Sequence, residues 1–377
     1  MGLSGTEVER YSRHLLLAEV GRAGQEKLRA ARVLVVGAGG LGSPAALYLA
    51  ASGIGTLGIV DCDRVELSNL QRQILFGTDD LAQPKALAAG RRLRGLNPDI
   101  AVVTHALELN AENVGAVFGQ YDVVIDGTDR LDTRYLVNDA CVILGKALVA
   151  AAIHRFEGQA MTYLPGRGPC YRCLFPDAAG AAVANCAEAG VLGVLPGVLG
   201  AIQATEAIKL VLGVGEPLLG RLLTYDALEM RFREFRFERR TDCAVCGDAP
   251  RITVPTDAAA AGCEGPLVFR RLSPRDLAAL LDASATGGRA VRLIDVRDPA
   301  EFAAGHLPGA VSIPLVELER ADWTPAEHAA TVFLCRSGTR SARACAIASR
   351  RGLRELSHLE GGLVAWAATI DPTLPVA

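Results

Sequence analysis

Three groups of residues in this chain have types and spacings suited to chemistry. The first, Gly37-Ala38-Gly39-Gly40-Leu41-Gly42, fits G-x-G-x-x-G and lies between an apolar strand pattern and an Ala/Leu helix pattern. Glycines let backbone N–H groups approach a phosphate, and a helix N-terminus attracts its charge. Asp61 follows 24 residues after Gly37 and ends the next strand pattern, where it can accept hydrogen bonds from a ribose. Alone, this reads as a nucleotide site with a dinucleotide as the default occupant. The neighbours shift the reading towards ATP. Asp61-Cys62-Asp63-Arg64 leads to Ser68-Asn69-Leu70-Gln71-Arg72-Gln73 and then Gln83-Pro84-Lys85. Hydride transfer has no use for this set of Arg, Gln and Lys, whereas splitting a triphosphate requires charge neutralisation on phosphoryl oxygens. No G-x-x-x-x-G-K-[ST] loop is present, so Lys85 is the candidate phosphate lysine. Asp126-Gly127-Thr128-Asp129 ends a strand pattern at the same sheet edge and could hold Mg2+ through one carboxylate.

The second group is two C-x-x-C knuckles, Cys170-Tyr171-Arg172-Cys173 and Cys243-Ala244-Val245-Cys246. Together they match a closed, four-thiolate Zn2+ site. Bridging the 69 residues between Cys173 and Cys243 costs roughly 4 kcal/mol in loop entropy. Structural zinc supplies on the order of 10–16 kcal/mol. Two redox pairs or free thiols are the alternatives. Cys186, in Asn185-Cys186-Ala187-Glu188-Ala189-Gly190, reads as a loop cysteine open to chemistry; Cys62 and Cys263 carry no such signal, and Cys141 and Cys345 sit on apolar helical patterns that predict burial.

The third group is Phe333-Leu334-Cys335-Arg336-Ser337-Gly338-Thr339-Arg340-Ser341. A strand delivers Cys335 to a short Gly/Ser/Arg turn, and a helix follows from about Ser341. Turn N–H groups, the helix N-terminus and Arg340 all favour a thiolate, and the same cradle suits a persulfide.

The elements that must position these groups alternate. Strand patterns cover Arg32–Val36, Leu57–Asp61 and Asp122–Asp126, with a helix pattern over Lys85–Leu96 beginning after Pro84. Such alternation predicts a mostly parallel sheet with helices on both faces and ligands beyond the carboxyl ends of its strands. Residues 247–266 are rich in Ala, Gly and Pro and read as a linker between domains at 1–246 and 267–377. The second domain has strand patterns at Leu293–Val296 and Thr331–Leu334.

Composition sets the outer bounds. The chain has 377 residues, 50% hydrophobic and 21% charged, which excludes wholesale disorder. Its net charge of −3 argues against a general nucleic-acid binder. No apolar run reaches the roughly 18 residues of a membrane span; the nearest, Val191 to Ile202, is broken by Pro196 and glycines. Met1 to His14 is polar and unlike a signal peptide, so a cytoplasmic protein with reduced thiols is expected.

Residues 7–246 resemble the bacterial adenylyltransferases that activate ubiquitin-like sulfur carriers, relatives of ubiquitin-activating enzymes. The matching stretches are Arg10-Tyr11-Ser12-Arg13, GAGGLG, LSNLQRQ, QPK, DGTDRLDTRYLVND, CAEAGVLGVLPG and both knuckles. The resemblance implies a Rossmann-like fold and adenylation, by ATP, of a carrier's C-terminal Gly-Gly carboxylate. It implies that Gly37, Gly39, Gly40, Gly42, Asp61 and Asn69 bind the nucleotide, that Arg72 and Lys85 neutralise its phosphates, and that Asp129 binds Mg2+. It implies a homodimer in which Arg13 reaches the partner's site, and a sulfur-transfer role for Cys186 in some relatives. Arg130 stands where the family usually has Asn. Residues 267–377 resemble single-domain rhodaneses through Asp295-Val296-Arg297-Asp298, Glu301-Phe302, Gly305-His306-Leu307-Pro308-Gly309-Ala310, CRSGTRS and Glu360-Gly361-Gly362. The five-residue step from Cys335 to Arg340 is one shorter than in rhodanese-like phosphatases and favours sulfur over phosphate. The DVR stretch and His306 are expected to be structural.

The expected whole is an α/β adenylyltransferase with a zinc knuckle, fused to an α/β rhodanese domain that takes sulfur from a desulfurase or thiosulfate. Such fusions serve molybdopterin, thiamine, cysteine or tRNA thiolation pathways. An NAD-dependent oxidoreductase with an appended sulfurtransferase, a tRNA-modifying dehydratase of the same superfamily, and a non-catalytic scaffold are the rival readings.

Overall fold

The computed structural model describes residues 2–176, 190–257, 269–286, 290–319, 330–350, 353 and 355–376. It divides into two units, Met1–Gly262 and Cys263–Ala377.

The first unit is built on an eight-stranded sheet in the order β3-β2-β1-β4-β5-β6-β7-β8. Its first five strands are parallel: β1 (Arg32–Val36), β2 (Thr56–Val60), β3 (Ala101–His105), β4 (Val123–Asp126) and β5 (Ala147–His154). β1 shows why its residues form a central strand. Val33 and Val35 face one core, beneath the helices Gly42–Ser52, Lys85–Leu96 and Leu195–Leu212, while Leu34 and Val36 face the other, beneath Leu131–Ile143. A strand covered on both faces has no place for polar side chains, hence the unbroken apolar run Val33-Leu34-Val35-Val36 after the exposed Arg32. Val36 pairs with both Val60 and Asp126, so β1, β2 and β4 end side by side. The chain leaves β1 towards β2 and β3, then returns to its other side at β4. That reversal is the crevice where ligands bind in open α/β sheets.

Beyond β1, β2 and β4, the strands of this sheet were not legible in the sequence. β5 turns through Arg155-Phe156 into β6 (Glu157–Tyr163), and β7 (Arg221–Asp226) and β8 (Arg231–Arg236) continue the sheet antiparallel. β8 is the edge, with all six residues exposed. The helix Leu195–Leu212 is long and apolar enough to cross a membrane by length and composition, and half of it is buried in this unit against Gly42–Ser52 and β5. Part of the stretch expected as a linker is tied to the first unit. Gly247 N–H donates to Cys243 O, Ile252 N–H to Ala244 O, and Asp257 accepts from Ala111 N–H.

The second unit holds five parallel strands ordered β11-β10-β12-β13-β9. These are β9 (Phe269–Leu272), β10 (Val291–Asp295), β11 (Val311–Ser312), β12 (Ala330–Leu334) and β13 (Leu356–Leu359). Val332 and Leu334 of β12 pack with Leu277, Leu363 and Trp366 on one face, while Phe333 and Cys335 pack with Ala344, Cys345 and Leu318 on the other.

Candidate active sites and the cysteine cluster

A cavity of about 520 Å³ opens at the carboxyl ends of β1, β2 and β4. Gly37, Gly39, Gly40, Asp61, Arg72, Lys85 and Asp129 all line it. The glycine turn is closed by contacts that admit no side chain. Gly37 has φ +86°, and a Cβ on Gly42 would stand 1.8 Å from Gly37 O. Gly42 therefore shapes the turn without lining the cavity. Asp61 is held at the tip of β2 by two backbone donors, Ala38 N–H at 2.8 Å and Asp63 N–H at 2.9 Å. Burial raises its pKa, against the opposing pull of Lys85 and these donors.

Lys85 begins the helix Lys85–Leu96 and is 6% exposed. Its Nζ reaches Asp63 Oδ2 at 2.9 Å, across to a carboxylate that is largely in solvent. A buried ammonium with an exposed, displaceable partner is suited to meet a phosphate. Arg72 and Gln73 come from the loop after the short 3-10 turn Leu67–Asn69. Asn69 does not line the cavity. Its Oδ1 accepts from Glu66 N–H, and its backbone O accepts from the N–H groups of Arg72 and Gln73, so it shapes the loop that presents both. Gln73 is buried, lines the cavity and has no hydrogen-bond partner for Oε1 among the described residues.

Asp129 is exposed at the cavity. Beneath it lies a pair that sequence reasoning missed. Fully buried Asp126 accepts from the Thr128 N–H and hydroxyl, and Arg134 Nε stands 3.3 Å from its Oδ2. That lock fixes the turn carrying Asp129. Arg130 turns to Glu108 at 3.2 Å and Asp132 at 2.7 Å, so two carboxylates balance its charge. The antiparallel half adds Asp226, Arg231 and Arg233 to the lining, which no motif announced. Arg13 is exposed on the short helix Ser12–Leu15 and does not line this cavity. Cys62 lines it as an exposed thiol. Cys186 lies outside the described residues.

The knuckles meet. The Sγ atoms of Cys170, Cys173, Cys243 and Cys246 all lie within 4.8 Å of one another. Cys170 to Cys243 is 3.7 Å and Cys173 to Cys246 is 3.3 Å. A tetrahedron with Zn–S of about 2.3 Å has sulfurs about 3.8 Å apart, so the set fits a four-thiolate ion. Arg240 N–H donates to Cys173 Sγ at 3.4 Å. Cys141 is buried, and burial pushes the Cys345 thiol up to about 12; both are core residues as expected.

In the second unit β12 ends at Leu334 and delivers Cys335, fully buried, into its turn. Gly338 N–H donates to Cys335 Sγ at 3.1 Å and Ser341 N–H at 3.3 Å. Arg340, expected to favour the thiolate, forks onto Glu301 at 2.6 and 2.8 Å. Glu301 is held below its usual pKa chiefly by that guanidinium. Asp295 and Arg297 form a fully buried ion pair at 2.8 Å, and Arg297 also donates to Gly305 O. His306 stacks on Phe302 with centroids 3.9 Å apart. Both arrangements are architectural.

A model of the ThiF family matches residues 11–245, and one of the rhodanese-like domain matches residues 273–369. The probable adenylyltransferase/sulfurtransferase MoeZ of Mycobacterium tuberculosis is 43% identical across 99% of this chain and 96% of its own length. The sulfur carrier protein adenylyltransferase of Thermus thermophilus is 52% identical across 65% of this chain and 92% of its own. Among solved structures, E. coli MccB with ATP aligns at 28% identity with a TM-score of 0.56, covering 65% of this chain and 75% of that one.

Proposed function

The chain belongs to the ThiF family and is a bifunctional adenylyltransferase/sulfurtransferase, and from that premise we propose which residues carry each half of the reaction. In the first unit, a ubiquitin-like sulfur carrier presents its C-terminal Gly-Gly carboxylate to ATP. A carboxylate oxygen attacks the α-phosphorus, the bond to the β-phosphate breaks, and pyrophosphate leaves. Asp61 takes the ribose, the glycine turn takes phosphate oxygens through backbone N–H groups, and Arg72 and Lys85 neutralise the charge that develops. Asn69 acts through the loop it shapes. Asp129 would hold Mg2+, which spreads charge on the phosphoryl oxygens; an exposed carboxylate at the cavity suits that ion.

In the second unit Cys335 carries the outer sulfur of a persulfide, taken from a desulfurase or thiosulfate. That sulfur attacks the acyl carbon and AMP leaves, which gives an acyl disulfide. A thiolate, from Cys186 or an external reductant, then attacks Cys335 Sγ. The carrier leaves as a thiocarboxylate with the electron pair of the broken S–S bond. The observation that carries this reading is the Cys335 cradle, two backbone N–H donors aimed at a buried sulfur, on the same chain as a nucleotide-sized cavity.

The four knuckle cysteines would hold Zn2+ as a fold-stabilising ion with no open position. Arg13, exposed and outside its own cavity, would complete the site of a second copy in a homodimer. A four-thiolate site and a Cys335 thiolate both need a reducing compartment, which supports a cytoplasmic location. The relatives reported above give no support to an oxidoreductase or a tRNA-modifying dehydratase. ATP–pyrophosphate exchange with a panel of purified Gly-Gly-ended carriers tests the reading. Exchange that appears only with a carrier is expected; exchange with none of the panel overturns it.

A further inference from the structure

Behind Cys335 lies a pair of side chains that the reaction as described does not use. Ser341 Oγ stands 3.5 Å from Cys335 Sγ on one side and 3.5 Å from His358 Nδ1 on the other. Its hydroxyl donates to Gly338 O at 2.9 Å, and that same carbonyl faces the His358 ring. His358 comes from β13, is 6% exposed, and its Nε2 has no hydrogen-bond partner among the described residues.

We propose that Ser341 and His358 are positioning residues, a hydrogen-bond chain that gives Cys335 a third donor whenever its sulfur is a thiolate. This rests on the reading of Cys335 as the sulfur-carrying residue. His358 stays neutral, because burial and the neighbouring Arg271 hold its pKa below the usual value. Its proton sits on Nδ1. That nitrogen faces the Ser341 oxygen, whereas a proton on Nε2 would be a buried donor with no acceptor among the described residues. With a thiol at Cys335, the S–H donates to Ser341 Oγ and the hydroxyl points at Gly338 O. When the thiol ionises, the hydroxyl swings to Sγ, and His358 Nδ1–H takes over the Gly338 carbonyl. The Gly338 carbonyl keeps a donor, and the sulfur receives an O–H in addition to two N–H donors. The state served is the one that reacts. Sγ takes the outer sulfur of thiosulfate and sulfite leaves with the pair of the broken S–S bond. When cyanide then takes that sulfur as thiocyanate, Sγ leaves again as thiolate.

Alkylation of Cys335 in the full-length protein, followed on its own peptide by mass spectrometry across pH, reads the thiolate directly. Ser341→Ala moves the midpoint up by about one pH unit and slows thiosulfate loading by up to about tenfold at pH values below the midpoint. His358→Phe moves it in the same direction by less. His358→Asn, whose amide N–H can stand where Nδ1–H stands, restores the midpoint, and His358→Gln does not. On a Ser341→Ala background, His358→Phe changes nothing further. The charged groups around the chain, Arg271 with Glu360 and Arg340 with Glu301, are common to every variant. An unmoved midpoint in Ser341→Ala, or an equal His358→Phe effect with and without the hydroxyl, overturns the proposal. If His358→Phe does not fold, the Asn–Gln contrast decides alone. Cys335→Ala separates this failure from that of the underlying reading: thiocyanate formation that survives it means sulfur rides elsewhere, while the alkylation midpoints still judge the hydrogen-bond chain.

Discussion

The nucleotide cavity and the Cys335 turn both receive negative charge at the end of parallel strands, but they assemble their donors over different lengths of chain. The cavity draws on Gly37, Asp61, Arg72, Lys85 and Asp129, and then on Arg231 and Arg233 from the far side of the sheet. The Cys335 cradle takes its backbone donors from within six residues, Gly338 and Ser341. The turn from Cys335 to Ser341 takes both of these donors from its own backbone. The cavity depends on sheet register, and a shift at one strand misplaces a residue contributed by another. The contrast teaches that the two halves of the chemistry should fail separately, and for different reasons.

The largest expected effect breaks the two apart. Cys335→Ala abolishes thiocarboxylate formation and leaves carrier-dependent pyrophosphate exchange intact, whereas Asp129→Ala lowers exchange by about 10²–10³-fold and removes the product as well. Full thiocarboxylate from Cys335→Ala, with a persulfide donor, would falsify the transfer route. Next comes the cluster that holds distant parts of the first unit. Cys243→Ser, or a strong chelator, should lower the melting temperature of the first unit by on the order of 10 °C and weaken exchange while the alkylation of Cys335 is unaffected. A protein that stays equally stable and holds no zinc by elemental analysis refutes the ion. The third test concerns Glu301. Its folded-state pKa is depressed, so its contribution is present above the ordinary carboxylate value of 4.5 and lost as pH falls through the lowered one. Glu301→Gln should cost the second unit about 1 kcal/mol near neutral pH and flatten its loss of stability on acidification, as read by thermal melts at a series of pH values.

What could be read along the chain follows the same division. The strand–glycine turn–helix at 32–52 and the strand–cysteine turn–helix at 330–350 were legible because each is written in consecutive residues: an apolar run, a turn needing Gly, and a helix start. Lys85–Leu96 was legible for the same reason, with Pro84 just before it. β6, β7 and β8 were not. Their alternation is weak, and RFREFR on an exposed edge carries no buried face to mark it. The family resemblance alone assigned Asn69 to the nucleotide; its amide oxygen accepts from Glu66 N–H in the turn beside it, a contact with no sequence signal. Asp126 and Arg134 gave no signal, since an ion pair eight residues apart is visible only once β4 and the following helix are packed.

The amino-acid sequence by itself determined the chemistry on offer: a phosphate-tolerant glycine turn, four thiols in two knuckles and a cysteine in a donor-rich loop. Each depends on residues close enough in the chain for backbone stereochemistry to fix their relation. Tertiary structure decided which side chains stand together. It brought Cys170 and Cys243 to 3.7 Å, turned Arg340 onto Glu301, and set His358 behind Ser341. Those choices belong to packing, because register and burial are properties of all the strands at once, and no local pattern contains them.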